Sequence, residues 1–135
     1  MAVVIAAPAS GSGKTLVSLA LLSWARARGE SVQPFKVGPD YLDPQLLSEA
    51  AGRSCRNLDL NLCGEPWVRK AFHGYGGVCS MALIEGVMGL FDGIGSTEEG
   101  STAAIARLLH LPVVLVVDAG GQAASLGALV RGFRD

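Results

Sequence analysis

Ser10-Gly11-Ser12-Gly13-Lys14-Thr15 is the part of this sequence best suited to chemistry. Phosphate groups are held by a concave ring of backbone N–H groups at a helix N-terminus. Gly11 and Gly13 let the chain curl that closely, and Ser10 and Ser12 add small polar side chains. Lys14 stands where it reaches the β- and γ-phosphates, and Thr15 offers a hydroxyl to Mg²⁺. The run departs from G-x-x-x-x-G-K-[ST] at one place, where Pro8 occupies the first glycine position. A Gly-rich turn that merely caps a helix is the simpler alternative. The apolar stretch before the loop and the helical pattern after it favour a phosphate site.

A magnesium ion beside Thr15 needs a carboxylate to complete its oxygen shell. Carboxylates at strand C-terminal ends lie on the correct rim of a parallel sheet. Asp118 follows the apolar run Val113 to Val117, Glu85 follows Met81 to Ile84, and Asp40 follows Val32 to Val37. Spacing leaves Glu85 and Asp118 both open. Asp43, followed by Pro44, reads as a helix N-cap. Lys36 ends its own run just before this acidic loop. It is suited to contact a transferring phosphoryl group or an anionic substrate, or else to sit solvated at an edge.

Four elements must hold these groups from below. Ala2 to Ala7, Met81 to Ile84 and Pro112 to Val117 read as strands of a sheet covered on both faces, because they are apolar without interruption. Ser31 to Val37 is a weaker strand, interrupted by Pro34. Helical patterns cover Lys14 to Ala27, the stretch from Asp43 to Gly52, Glu65 to His73, Thr102 to His110 (capped by Ser101 or Thr102) and Ser125 to Phe133. The alternation predicts an α/β fold, a doubly wound, mainly parallel sheet with helices on both faces.

Composition bounds the rest. The chain has 135 residues, a net charge of −1, 50% hydrophobic and 17% charged residues. That suits one domain with its own core and excludes a disordered tail. It gives no basic footprint for nucleic acid, and no apolar run approaches the ~18 residues of a membrane helix. Cys55, Cys63 and Cys79 are odd in number and lack C-x-x-C spacing. They argue for a reducing cytoplasm and for buried core or surface thiols, not a disulfide framework or zinc site. Eighteen glycines are about twice the usual share, without a fibrous period, and many fall in the loops after strands.

Three motifs carry a resemblance. Ala7-Pro8-Ala9-Ser10-Gly11-Ser12-Gly13-Lys14-Thr15, Pro34-Phe35-Lys36-Val37-Gly38-Pro39-Asp40-Tyr41-Leu42-Asp43-Pro44 and Glu85-Gly86-Val87-Met88-Gly89-Leu90-Phe91-Asp92-Gly93 together resemble the cobyrinic acid a,c-diamide synthase family, including its members acting on hydrogenobyrinic acid. The likeness runs over essentially the whole chain, Asn57-Leu58-Asp59 included. It implies a P-loop NTPase-like fold similar to that of dethiobiotin synthetase. It also implies ATP and Mg²⁺ as cofactors, and a corrinoid substrate, cobyrinate or hydrogenobyrinate, whose a and c carboxylates are phosphorylated and then amidated. Ammonia would come from glutamine through a C-terminal glutaminase domain that these residues lack.

By the same resemblance Thr15, Asp40 and Glu85 surround the metal, and Lys14, Lys36, Asp40 and Glu85 are the catalytic set. Tyr41, Asp43 and Asp92 fall on the substrate side. Residues 1–135 would then be the N-terminal portion of the synthetase domain, binding nucleotide without completing the amidation. A sheet cut short would expose an apolar edge, so pairing into a homodimer is expected.

Other readings fit less well. Dethiobiotin synthetase and cobyric acid synthase lack Gly38-Pro39-Asp40-Tyr41-Leu42-Asp43-Pro44. A ParA- or MinD-like ATPase switch carries a lysine near the start of its phosphate loop, where this chain has Pro8, Ala9 and Ser10, and no basic amphipathic C-terminal helix for a membrane is visible.

Overall fold

The apolar runs do become strands. In the computed structural model, which describes residues 1–134, β1 (Ala2–Ala6), β2 (Val32–Val37), β3 (Arg56–Leu58), β4 (Met81–Glu85) and β5 (Val113–Leu115) form one sheet in the order β3-β2-β4-β1-β5. Every pairing is parallel. The strands alternate with α1 (Lys14–Ala27), α2 (Asp43–Ala51), α3 (Leu60–Gly76) and α4 (Thr102–Leu109), and α5 (Ser125–Arg134) follows β5. The expected doubly wound α/β fold is therefore present.

Side-chain alternation builds two cores. Ile5, Val32 and Leu83 pack with Leu22 of α1 and Leu47 of α2. On the opposite face Val4, Phe35 and Ile84 pack with Val68 and Phe72 of α3 and Ile105 of α4. Burying each such large apolar side chain contributes about 1.5–3 kcal/mol. Phe35 and Phe72 meet with ring centroids 5.6 Å apart.

The same parity positions the chemistry. Lys36 and Glu85 are register partners at the C-terminal ends of β2 and β4. They alternate with Phe35 and Ile84, so they emerge on the α1/α2 side. A one-residue slip would send one of them to the other face.

Pro34 is tolerated inside β2 for a local reason. The Ser31 carbonyl bonds to the Met81 N–H of β4, and the Gly38 N–H bonds to the Leu58 carbonyl of β3. Even-numbered residues of β2 thus turn their backbone groups toward β3. β3 begins opposite Phe35, so the N–H missing at Pro34 has no strand to meet. The buried Gln33 amide then donates to the Pro34 carbonyl at 2.9 Å and to the Ser54 carbonyl at 2.9 Å.

Three elements differ from expectation. β3 has no apolar run to announce it, being a three-residue edge strand that starts with an exposed arginine. β5 stops at Leu115, and Val113 and Val114 are exposed because the sheet ends there. α3 starts five residues before Glu65. Asp59 accepts hydrogen bonds from the Asn61 and Leu62 N–H groups, making a short capped turn before the chain breaks at Gly64 (φ 79°) and restarts with Pro66. Asp59→Ala should cost about 1 kcal/mol of stability, measured as a lower urea midpoint with an unchanged slope. No helix among the described residues is long and apolar enough to cross a membrane.

Candidate functional site

The phosphate loop spans the gap between β1 and α1. Gly11 (φ 77°) and Gly13 (φ 101°) take left-handed backbone conformations that other residues adopt only at a cost. Gly13 is the N-cap of α1, so the first free N–H groups of that helix face the loop. The Ser12 hydroxyl donates to the Ala9 carbonyl at 2.9 Å, closing the turn beneath.

Lys14, Thr15, Lys36 and Glu85 converge on one cavity. Its volume is about 420 Å³, and Gly11, Gly13, Asp40, Asp43 and Met88 also line it. Thr15 donates its hydroxyl to Glu85 Oε1 at 2.9 Å. Lys36 Nζ donates to the same Oε1 at 3.0 Å and to the Gly86 carbonyl at 2.8 Å. It also pairs with Asp43 Oδ2 at 3.3 Å. Lys36 is 2% exposed and Glu85 fully buried. The solvated-edge alternative for Lys36 is excluded: its charge is desolvated and neutralised inside a central strand.

Of the two carboxylates that spacing left open, Glu85 is the one beside the phosphate loop. Thr15 meets Glu85, whereas Asp118 is exposed, lies three residues beyond the end of β5, and accepts the Gly120 N–H at 2.9 Å.

Glu85 Oε2 is buried and has no hydrogen-bond partner. A buried carboxylate oxygen left bare is costly, and a cation held there would satisfy it. A hydroxyl and a carboxylate are hard oxygen donors of the kind magnesium takes, so the residues fit the ion. Among the described residues, no three His, Cys, Asp or Glu side chains gather into a cluster able to hold a metal. The fit therefore requires the remaining oxygens from phosphate and water, which is how magnesium is usually bound beside a nucleotide.

The start of α2 is built differently from expectation. Asp43 is the first residue of α2, and Leu42 occupies the N-cap position without a side-chain bond. Asp40 Oδ1 accepts the Leu42 and Asp43 N–H groups at 3.0 and 3.4 Å instead. The N-cap assignment for Asp43 is thus corrected: a carboxylate three residues earlier folds the turn, which frees Asp43 to face Lys36.

Burial raises the Asp43 carboxyl above its ordinary range, against the opposing pull of Lys36. Burial, then the nearby Lys36 charge, lowers Lys14. Tyr41 is largely exposed. Asp92 Oδ2 accepts the Gly89 N–H at 2.8 Å and so braces the turn after β4.

Sequence reasoning missed Thr102. Its hydroxyl accepts the Val87 N–H at 3.0 Å, tying the loop after Glu85 to α4. Ser101 is the actual cap of that helix; a choice between the two left Thr102 free for this task. The cysteines take no part in the site. Burial pushes the Cys55 thiol up to about 12, which leaves it a neutral packing group. A larger apolar groove of about 800 Å³ lies between α4, β5 and α5. It contains neither the glycine loop nor a carboxylate, so the smaller polar cavity is the candidate site.

Comparison with known proteins shows what the chain is similar to. The CobQ/CobB/MinD/ParA nucleotide binding domain model matches residues 3–87. Cobyrinate a,c-diamide synthase from Gloeobacter violaceus is 52% identical over 135 residues, covering 99% of this chain and 30% of that protein. Hydrogenobyrinate a,c-diamide synthase from Streptomyces coelicolor is 56% identical over 132 residues, covering 96% and 27%. The Mycobacterium tuberculosis hydrogenobyrinate a,c-diamide synthase is 51% identical over 138 residues, covering 98% and 30%. The chain thus spans less than a third of the length of these curated relatives.

Proposed function

We propose that this chain, which belongs to the CobQ/CobB/MinD/ParA nucleotide-binding domain family, supplies the ATP site of a cytoplasmic enzyme that amidates the a and c carboxylates of cobyrinate or hydrogenobyrinate. The observation that carries the reading is the buried set Thr15, Glu85 and Lys36 beside a glycine loop. The names of the relatives support the substrate class.

Each residue has a task in that reaction. A carboxylate is a poor electrophile until its oxygen becomes a good leaving group. A substrate carboxylate oxygen attacks the γ-phosphorus, a new P–O bond forms, the bond to the β-phosphate oxygen breaks, and ADP leaves. Ammonia then attacks the acyl carbon, loses a proton, and expels phosphate to leave the amide.

Protein groups serve this chemistry by position and charge. The loop N–H groups and Lys14 cradle the phosphates. Thr15, Asp40 and Glu85 would hold magnesium, which would neutralise phosphate charge. Lys36 lines the same cavity and, through its pairs with Glu85 and Asp43, would offset part of the charge on the transferring phosphoryl group or the substrate carboxylate. Tyr41 and Asp43 stand on the side from which substrate approaches. Glutamine-derived ammonia is assigned to sequence outside these residues, which alone bind nucleotide without amidating.

Lys14→Ala removes charge-assisted bonds worth about 1.5–3 kcal/mol, or about 10–100-fold in affinity. Calorimetric titration with Mg-ATP should show that loss; equal affinities would remove the phosphate site from the reading. Turnover of a corrinoid by these 135 residues alone with glutamine would refute the division of labour.

A further inference from the structure

Lys14 is already held in place. Its ammonium donates to the Met88 carbonyl at 2.8 Å, although 74 residues separate the two. Met88 has φ 50°, a left-handed conformation that costs a residue with a Cβ about 1–2 kcal/mol. The residue is 43% exposed, so side-chain packing repays little of that cost.

The surrounding turn is fixed from three sides. The Gly89 N–H donates to Asp92 Oδ2 at 2.8 Å, and the Val87 N–H to Thr102 Oγ1 at 3.0 Å. The Leu90 N–H donates to the Ala7 carbonyl at 2.8 Å. There is no slack beside the phosphate loop either, because a Cβ at Gly89 would come within 2.5 Å of the Pro8 oxygen.

We infer that Met88 is a positioning residue for the nucleotide: its carbonyl, aimed by a left-handed backbone and fixed through Asp92, holds the Lys14 ammonium at the cavity before phosphate arrives. A lysine ammonium has three donors. One given to Met88 leaves two for phosphate oxygens. Fixing a four-carbon stem beforehand reduces the rotamer freedom lost on binding. The inference rests on Lys14 being the phosphate-binding lysine of the proposed function. It gives Asp92 a task within the nucleotide site, where resemblance had suggested the substrate side.

The test is Mg-ATP calorimetry on the natural gene product that carries this sequence. Met88→Val, whose branched Cβ resists φ 50°, should weaken binding about tenfold. Met88→Gly, which accepts that conformation, should recover most of the loss. Asp92→Ala loosens the same turn without touching Met88 and should weaken binding about fivefold. It serves as the second variant should Met88→Val fail to fold.

The decisive reading is a double-mutant cycle. In a Lys14→Ala background, Met88→Val and Asp92→Ala should have almost no further effect on affinity. Undiminished effects there would mean that the turn acts on the fold and not on Lys14, which overturns the inference. Tighter binding by Met88→Val would also overturn it, since the carbonyl would then be competing with phosphate. If Lys14→Ala alone leaves Mg-ATP affinity intact, the phosphate-site reading falls and this inference falls with it. If Lys14→Ala weakens binding while Met88→Val and Asp92→Ala do not, only the inference is lost.

Discussion

Lys36→Met should lower the stability of the fold by about 3–5 kcal/mol, read as a reduced urea midpoint. Methionine keeps much of the lysine stem and fits the same slot in β2. Among the described residues, it removes the only cation bonded to Glu85, which is fully buried. Three acceptors lose a partner at once: Glu85 Oε1, Asp43 Oδ2 and the Gly86 carbonyl. Asp43 is partly exposed and can turn to water. Glu85 cannot, and a buried carboxylate without a counter-charge is the costly product of the substitution.

The double variant Lys36→Met/Glu85→Gln separates this account from a loss of packing. Removing both charges together costs less than stranding one of them. The double variant should therefore regain at least half of the stability that Lys36→Met alone loses. Stability falling further in the double variant would mean that the lysine stem, not the charge, holds β2 in place.

The ion pair also explains which parts of the site could be seen in the sequence. The glycine loop was legible because its chemistry is local: small residues, lysine and threonine stand consecutively between a strand and a helix. The convergence of Lys36 and Glu85 was not legible from spacing. Forty-nine residues separate them, and their pairing follows from β4 inserting between β2 and β1, a topology that no local pattern encodes. Only resemblance brought Glu85 ahead of Asp118.

The weaker elements were lost for related reasons. β3 is held by the Arg56–Leu58 pairing with Phe35–Val37, not by an apolar pattern of its own. Asp43 looked like a cap because it precedes proline. The turn into the helix depends on the Asp40 side chain reaching forward to the N–H groups two and three residues ahead, which a single position cannot announce.

Glu85→Gln should reduce turnover of the natural gene product about 100–1,000-fold, the range found when one fixed group serving transition-state charge is removed. The half-saturating Mg²⁺ concentration should rise about 10–100-fold. Glutamine nearly preserves the shape of the side chain, but it lacks the negative charge that a divalent cation requires. Its NH₂ is a donor, and wherever it replaces Oε1 it confronts the Lys36 ammonium, which can only donate, and forces the Thr15 hydroxyl to turn from donor to acceptor. Where it replaces Oε2, it puts hydrogens into the position left bare for a cation.

The fold should suffer less than in Lys36→Met. Lys36 keeps Asp43 Oδ2 and the Gly86 carbonyl, so no charge is left buried alone. The two substitutions thus divide the same ion pair into its structural and chemical halves: the lysine variant loses stability first, and the glutamine variant loses metal-dependent chemistry first. An unchanged Mg²⁺ requirement in Glu85→Gln would leave the pair a purely structural strut and move the metal away from Thr15.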